Sequence, residues 1–303
     1  VLRREMRQME KSWVSNNLLE ASKLRLDRLG FFKSVKYEKN AVPGSTDEVD
    51  VIFKVEEQFS GSIGGSLGYG AYGFSLGANY SEKNAFGTGN SINVGITYSE
   101  WRQDISFNFF DPYFTIDGIG LGYGAFIRKT DYGNFNLAAY NTDSYGGSVS
   151  FDLPISEIEQ VGLSLSYDKT DLKTNLYSSR QLLDFYNSEG FDFTTYNASI
   201  SWRRITLDRG LFPTRGTSNG ISLSFTLPGS NLNFGRLTHE FKYFQPLPRG
   251  LIFGYRSKIG YLFTYGDTES APPYQYFYAG GMRSVRGFKQ NYLGPKAVYQ
   301  SGI

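Results

Sequence analysis

The residues whose types and spacing could do chemistry are few, and most of them fail on placement. Gly68-Tyr69-Gly70-Ala71-Tyr72-Gly73 has the glycine spacing of a dinucleotide loop, but that chemistry needs a strand running into a helix whose N-terminus faces the pyrophosphate. Here the motif joins two strand-like runs, so a hairpin turn is expected. Gly64-Gly65-Ser66-Leu67-Gly68 and Gly216-Thr217-Ser218-Asn219-Gly220 have the spacing of a nucleophilic serine elbow, yet neither stands between a strand and a helix. His239 is the only histidine and cysteine is absent. That leaves no thiolate and no multi-histidine metal site, and a hydrolytic triad would have a single possible base. His239 lies between Leu237 and Phe241, on a row expected to face lipid near a strand end. No catalytic residue, metal site or cofactor is assigned, and the expectation is that the protein is not an enzyme.

Two features survive this filter, and both are backbone devices. The run from Phe59 to Tyr69 holds Gly61, Gly64, Gly65 and Gly68, which leaves a strand with few side chains, an accessible backbone and a weakly specified register. Such an edge can accept another strand by β-augmentation. The glycines would equally let the strand bend as it leaves a preceding domain, and the residues alone leave both readings open. The second feature is Ala279-Gly280-Gly281-Met282-Arg283-Ser284-Val285-Arg286-Gly287-Phe288. Its glycines allow tight turns, and the Arg286 guanidinium is a fixed fork of donors suited to a buried carboxylate. A loop at a barrel mouth can fold back into a polar lumen that supplies one; an ordinary solvated arginine is the plain alternative.

The elements that would position these residues fall into two compositional parts. Residues 1–57 contain only Gly30 and Gly44 and five aromatic residues, whereas residues 58–303 hold the other glycines, out of 35, and 46 of the 51 aromatic residues. A boundary near Gln58 follows. The first part reads α-α-β-β: helix formers from Arg3 to Lys11, then Asn16/Asn17 as candidate N-caps of a second helix with Leu19, Ser22, Leu26 and Leu29 on one face. Gly30 is its expected C-cap, Pro43-Gly44-Ser45 a turn, and Val49, Val51, Phe53 and Val55 one face of a strand. Two helices on a two-stranded ribbon bury little, so a further strand is expected upstream.

The second part alternates with period two almost throughout. Ile119/Leu121/Tyr123/Ala125/Ile127, Val161/Leu163/Leu165/Tyr167 and Phe253/Tyr255/Ser257/Ile259/Tyr261/Phe263 are three of about eleven such runs. The opposite positions are Gly, Ser, Thr and Asn with occasional charges. No apolar stretch approaches the roughly twenty residues of a membrane helix. Membrane strands need only about ten, with apolar and polar residues alternating and aromatics at both interfaces. The runs here are near that length and often end in Tyr, Phe or Trp. A large soluble β-sandwich produces the same alternation with its apolar face inward, usually on strands of about five or six residues; at the lengths found here the expected fold is an all-β transmembrane antiparallel barrel preceded by a partial α+β domain. Connections after even strands are short, while Lys129 to Tyr145, Thr170 to Thr195 and the chain beyond Gly266 are long, which sets short turns on the periplasmic side. Ser179 to Asn187 is expected to form a short surface helix. Eleven strands leave an open edge, which lipid does not tolerate, so closing strands are expected beyond this chain. A net charge of +2 gives no overall field favouring nucleic acid.

Val285-Arg286-Gly287-Phe288 in its setting, with FYAGG at 277–281 and GPKAVY at 294–299, resembles the sixth-loop signature of the BamA family. Asn84 to Gly89, Asp111 to Phe114 and Leu211 to Gly216 are similar to that family's periplasmic turns, and residues 1–57, with RLGFF at 28–32, to its last POTRA domain. The resemblance implies a sixteen-stranded outer-membrane barrel that folds and inserts other barrels without nucleotide hydrolysis. It implies a lateral gate formed by a weak first-strand and last-strand seam, with Phe59, Gly61, Gly64, Gly65 and Gly68 on the first strand. It gives Arg286 acidic partners inside the barrel on strands outside this chain. The implied partners are nascent outer-membrane β-barrel proteins, accessory lipoproteins, periplasmic chaperones and outer-membrane lipid, with no cofactor and no nucleic acid. A TamA-like factor, a two-partner secretion transporter, a passive porin and a barrel hydrolase are the rival readings.

Overall fold

A computed structural model describes residues 1–70, 73–133, 140–174, 178–282, 284–289, 291–296 and 298. In chain order the elements are α1 (Leu2–Glu5), α2 (Asn16–Leu29), β1 (Phe32–Ala41), β2 (Val49–Glu57), β3 (Gly61–Gly70), β4 (Gly73–Ala85), β5 (Asn90–Ser99), β6 (Arg102–Asp111) and β7 (Gly120–Asp131). They continue as β8 (Tyr140–Pro154), β9 (Glu159–Thr174), α3 (Arg180–Glu189), β10 (Asp192–Ile205), β11 (Gly216–Thr226), β12 (Phe234–Pro246) and β13 (Ile252–Thr264). β1 and β2 form a two-stranded antiparallel ribbon, while β3 to β13 form one eleven-stranded sheet in strict sequence order. β3 and β13 are its edges. Nearest-neighbour hairpins throughout are what alternating strands separated by turn residues dictate.

By compactness the chain divides into residues 1–64 with 79–93, and residues 65–78 with 94–303. In the first unit α2 buries Leu19, Ser22 and Leu26, the face expected from their spacing, together with Phe31 and Val35. Gly30 closes the helix at φ 71, where glycine carries no Cβ penalty. The first helix stops at Glu5, well short of Lys11, and the N-cap position of α2 is Ser15, with Asn16 already helical. The reason is local. The buried Ser22 hydroxyl accepts the Arg7 N–H at 2.8 Å, and the Gln8 side chain donates to Ser12 Oγ at 2.9 Å, so the segment after Glu5 bonds to side chains instead of continuing a helix. Glu5 is buried and held by Arg25 at 2.8 Å.

Among the described residues of the second unit the sheet has one small apolar core, at the end away from the short turns. Tyr140, Leu172, Leu182, Phe185, Phe193, Leu232 and Phe234 are buried together there. The helix expected near Ser179 is present, one residue later, capped by the Ser179 hydroxyl. It is not a surface helix, because Leu182 and Phe185 on one face enter this core. The strands also reach into the segments expected to be loops: β9 runs to Thr174 and β10 starts at Asp192. Charge alternation hid these extensions. Lys173 pairs with Asp143 at 2.5 Å and Lys169 with Asp192 at 2.9 Å, while Leu172 and Phe193 turn inward beneath them.

Candidate functional site

The first edge feature is β3. It begins at Gly61, so Phe59 precedes the strand and is fully exposed. Gly64 lies against Asn79, Ser66 against Gly77 and Gly68 against Ser75, a constant antiparallel offset in which every side chain on the inner row is small or polar. A Cβ added at Gly68 would stand 3.0 Å from Ser75 Oγ, whereas one at Gly65 would find only Gly77 O, at 4.0 Å. On the other row Ile63, Leu67 and Tyr69 are 86%, 74% and 87% exposed. β3 is thus a glycine- and serine-backed ribbon with one free backbone edge among the described residues. The dinucleotide-like motif straddles its end: Gly70 closes β3, Gly73 opens β4, and Ala71 and Tyr72 lie outside the described residues.

The second feature is the long segment after β13. Gly280, Gly281 and Gly287 all adopt positive φ, at 112°, 95° and 87°. At Gly280 a Cβ would come within 2.5 Å of Lys289 O, so glycine is required by close backbone approach as well as by φ. The Ser284 hydroxyl donates to Gly280 O at 2.8 Å, Gly281 N–H donates to Val285 O at 3.1 Å, and Leu293 N–H donates to Ala279 O at 3.0 Å. This pinned hairpin carries Val285, Arg286, Gly287 and Phe288 at its exposed tip. Arg283 lies outside the described residues, as do Ala297 and Tyr299 of the GPKAVY run.

Arg236 fixes this loop to the inner wall. Phe277 sits on Gly260 of β13, where a Cβ would clash with its ring, and the Arg236 guanidinium of β12 lies 4.4 Å from the ring centroid. Arg236 Nε is buried with no hydrogen-bond partner among the described residues. Nothing local marks Arg236 in the sequence; only the β12–β13 register, which sets Arg236 opposite Leu262 and Thr238 opposite Gly260, brings the three residues together. Beside this contact a cavity of about 760 Å³ runs under the loop, lined by Tyr140, Leu182, Leu262, Tyr276 and Tyr278 among others. Burial pushes the Tyr278 phenol up to about 12. α3 is tied to the same segment at both ends: Arg180 N–H donates to Val298 O at 2.7 Å, and Glu189 accepts Glu269 N–H at 2.8 Å.

His239 occupies the middle of β12, not its end, on the apolar row between Leu237 and Phe241, and its Nε2 is 2.8 Å from Asn219 Oδ1. The two serine motifs lie within β3 and at the start of β11.

Fold and site together define an antiparallel sheet of the transmembrane-barrel kind, preceded by a small α+β module, with a soft first strand and a pinned loop packed on the inner wall. The chain belongs to the Omp85 superfamily, whose domain matches residues 84–302, and residues 1–58 match the POTRA family described as surface antigen variable number repeat. It is 31% identical over its whole length to the outer membrane protein assembly factor BamA of Neisseria meningitidis serogroup B, covering 39% of that protein. It is 27% identical to BamA of Nitratidesulfovibrio vulgaris, covering 36%. The chain therefore spans well under half the length of these relatives. Among solved structures, BamA from Haemophilus ducreyi lacking POTRA domains 1–3 superposes with a TM-score of 0.82 at 32% identity, over 98% of this chain and 59% of that one. CdiB from Acinetobacter baumannii, at 15% identity and a TM-score of 0.56, shares the fold.

Proposed function

We propose that this chain is the gate-side portion of an outer-membrane assembly factor, with residues 1–57 as a periplasmic docking module and residues 58–303 as the first part of the barrel. The observation that carries the reading is β3: an edge strand whose inner row is glycine, serine and little else, on a chain whose relatives are named as assembly factors. An unpaired backbone N–H or C=O costs several kcal/mol in hydrocarbon. A nascent strand that pairs with β3 enters the membrane with those groups already satisfied. The glycines Gly61, Gly64, Gly65 and Gly68 lower the cost of exchanging one partner strand for another, because few side-chain contacts must be broken. The free energy comes from the client's own folding, and no nucleotide or metal takes part.

In this reading Arg286 extends from the loop tip to acidic residues on strands outside this chain. Clients are nascent outer-membrane β-barrel proteins, and accessory lipoproteins and chaperones dock on the periplasmic side. The test is a disulfide between cysteines placed on β3 and on the closing strand of the full-length protein. Locked protein should lose assembly of client barrels and regain it on reduction; undiminished assembly in the locked state would remove the gate.

A further inference from the structure

The turns 206–215 and 247–251 join β10 to β11 and β12 to β13 at one end of the sheet, and they present apolar side chains with nothing on them. Leu211 and Phe212 are 81% and 88% exposed, and Leu251 is 63% exposed. Phe212 holds φ at 50° and Arg249 at 64°. Bulky side chains seldom adopt that region unless their surroundings force them into it. At the first turn the force is visible: the Asp208 carboxylate accepts Thr214 N–H at 2.9 Å, Arg215 N–H at 3.2 Å and the Thr214 hydroxyl at 2.6 Å. The fold therefore spends backbone strain and a carboxylate cage on holding a phenyl ring and a leucine out in the open. Arg209, Arg215 and Arg249 flank the tips and are exposed.

The strand register says what lies at that level. Tyr243 pairs with Tyr255 and Gln245 with Phe253, and the Tyr243 and Phe253 rings are 6.3 Å apart on the outward row. Phe253 stands one pairing step beyond Phe244, which itself faces Gly216, so it is level with Arg215 at the base of the first turn. Aromatic rows of this kind mark the membrane–water interface of barrels. Leu251 lies two residues beyond Phe253, and Phe212 three beyond Arg215, so the apolar tips begin about 7 to 10 Å along the chain from that belt, where headgroups meet acyl chains. β3, where a client would pair, is the opposite edge of the sheet, seven to ten strands away. Guanidinium groups beside an apolar wedge fit phosphate esters above acyl chains.

We propose that these two turns are a docking surface for the phospholipid leaflet on the turn side of the membrane. Leu211, Phe212 and Leu251 enter the acyl boundary, and Arg209, Arg215 and Arg249 bind headgroup phosphates. The proposal rests on the barrel reading above and adds a lipid contact distant from the gate.

The test uses full-length protein in vesicles of phosphatidylethanolamine and phosphatidylglycerol, with an environment-sensitive dye on Phe212→Cys. This chain contributes no cysteine of its own, and any elsewhere would be replaced. The expected result is blue-shifted emission quenched by lipids spin-labelled near the headgroup. A dye on Leu163→Cys, on the outward row of β9 and level through the register with Leu223 and Leu237, six residues along β12 from Tyr243, should be quenched by lipids labelled deep in the acyl chain. Quenching at 163 with water-like emission at 212 overturns the docking surface and leaves the barrel reading intact; no quenching at either overturns the barrel reading itself. A response at 212 to an unfolded client but not to lipid also overturns the proposal, in favour of a client site. The pair Arg215→Gln and Arg249→Gln should at least halve shallow quenching at 212, more so when phosphatidylglycerol is present; unchanged quenching would remove the phosphate contacts.

Discussion

At the scale of single residues, two arginines and one aspartate divide the work. Arg286 was the residue the sequence offered, because a guanidinium between glycines in a long loop is conspicuous. Arg236 was invisible, since an arginine among the polar positions of an alternating strand looks like any other lumen-facing charge. Its contact with Phe277 depends on the notch at Gly260, in the neighbouring strand, and no local pattern encodes that. A partly desolvated cation over a ring contributes about 1 to 2 kcal/mol. Arg236→Ala should release the loop and make it cleavable by protease in intact vesicles, Arg236→Lys should restore most of the protection, and equal resistance in all three proteins would show that the contact holds nothing. Asp208 makes a prediction in pH. Hydrogen bonds from the Thr214 hydroxyl and N–H, then from Arg215 N–H, hold its carboxyl well below the ordinary value of 3.8. A carboxylate whose folded pKa is depressed contributes stability that is fully present above the unfolded value and is lost as pH falls through the folded one. The turn should therefore loosen only below about pH 4. Asp208→Asn, which lacks the charge, should loosen it at neutral pH and abolish the acid transition, read by amide exchange of residues 206–215.

At the scale of elements, periodicity was a good guide to the strands and a poor one to their ends. The alternation that marks β7 or β9 in mid-strand gives way at the outer ends to Lys169, Asp171 and Lys173 on one row, which resemble a loop until Asp143 and Asp192 are seen to pair with two of them. The core that makes α3 more than a surface helix is assembled from β8, β9, β10, the β11–β12 connection and β12, so its members are scattered over almost a hundred residues. Leu182→Ala should cost about 2 to 5 kcal/mol at that site, seen as faster amide exchange confined to α3 and the outer ends of β8 to β10. β3 allows a substitution with opposite effects on stability and function. Gly65 has ordinary backbone and open space at its Cβ position, so Gly65→Val should stabilise the strand by roughly 1 kcal/mol; under the proposed gate it should still lower client assembly severalfold, because a stiffer β3 would exchange partners more slowly. A faster or unchanged assembly rate would separate softness from function.

At the scale of the molecule, backbone hydrogen bonding gives the two sheet edges different fates. Every strand from β4 to β12 has a neighbour on both sides, so its backbone groups are spoken for by the ladders, while β3 and β13 each leave one row open among the described residues. Lipid does not tolerate an open row. β13 is anchored at its outer half by Phe277 over Gly260 and by the loop that follows it, whereas β3 presents exposed Ile63, Leu67 and Tyr69 on one row and almost no side chains on the other. Under the proposed gate, exchange protection in the full-length protein should rise from β3 towards the middle of the sheet and be greatest at β8 to β10, where the longest strands pair. Adding a peptide with the alternating pattern of a client's terminal strand should slow exchange in β3 by tenfold or more, about 1.4 kcal/mol of new pairing, and leave β8 and β9 unchanged. Protection of β3 equal to that of β8 before any peptide is added would mean that the first strand is held as firmly as the rest, and a seam so held could not serve as a template.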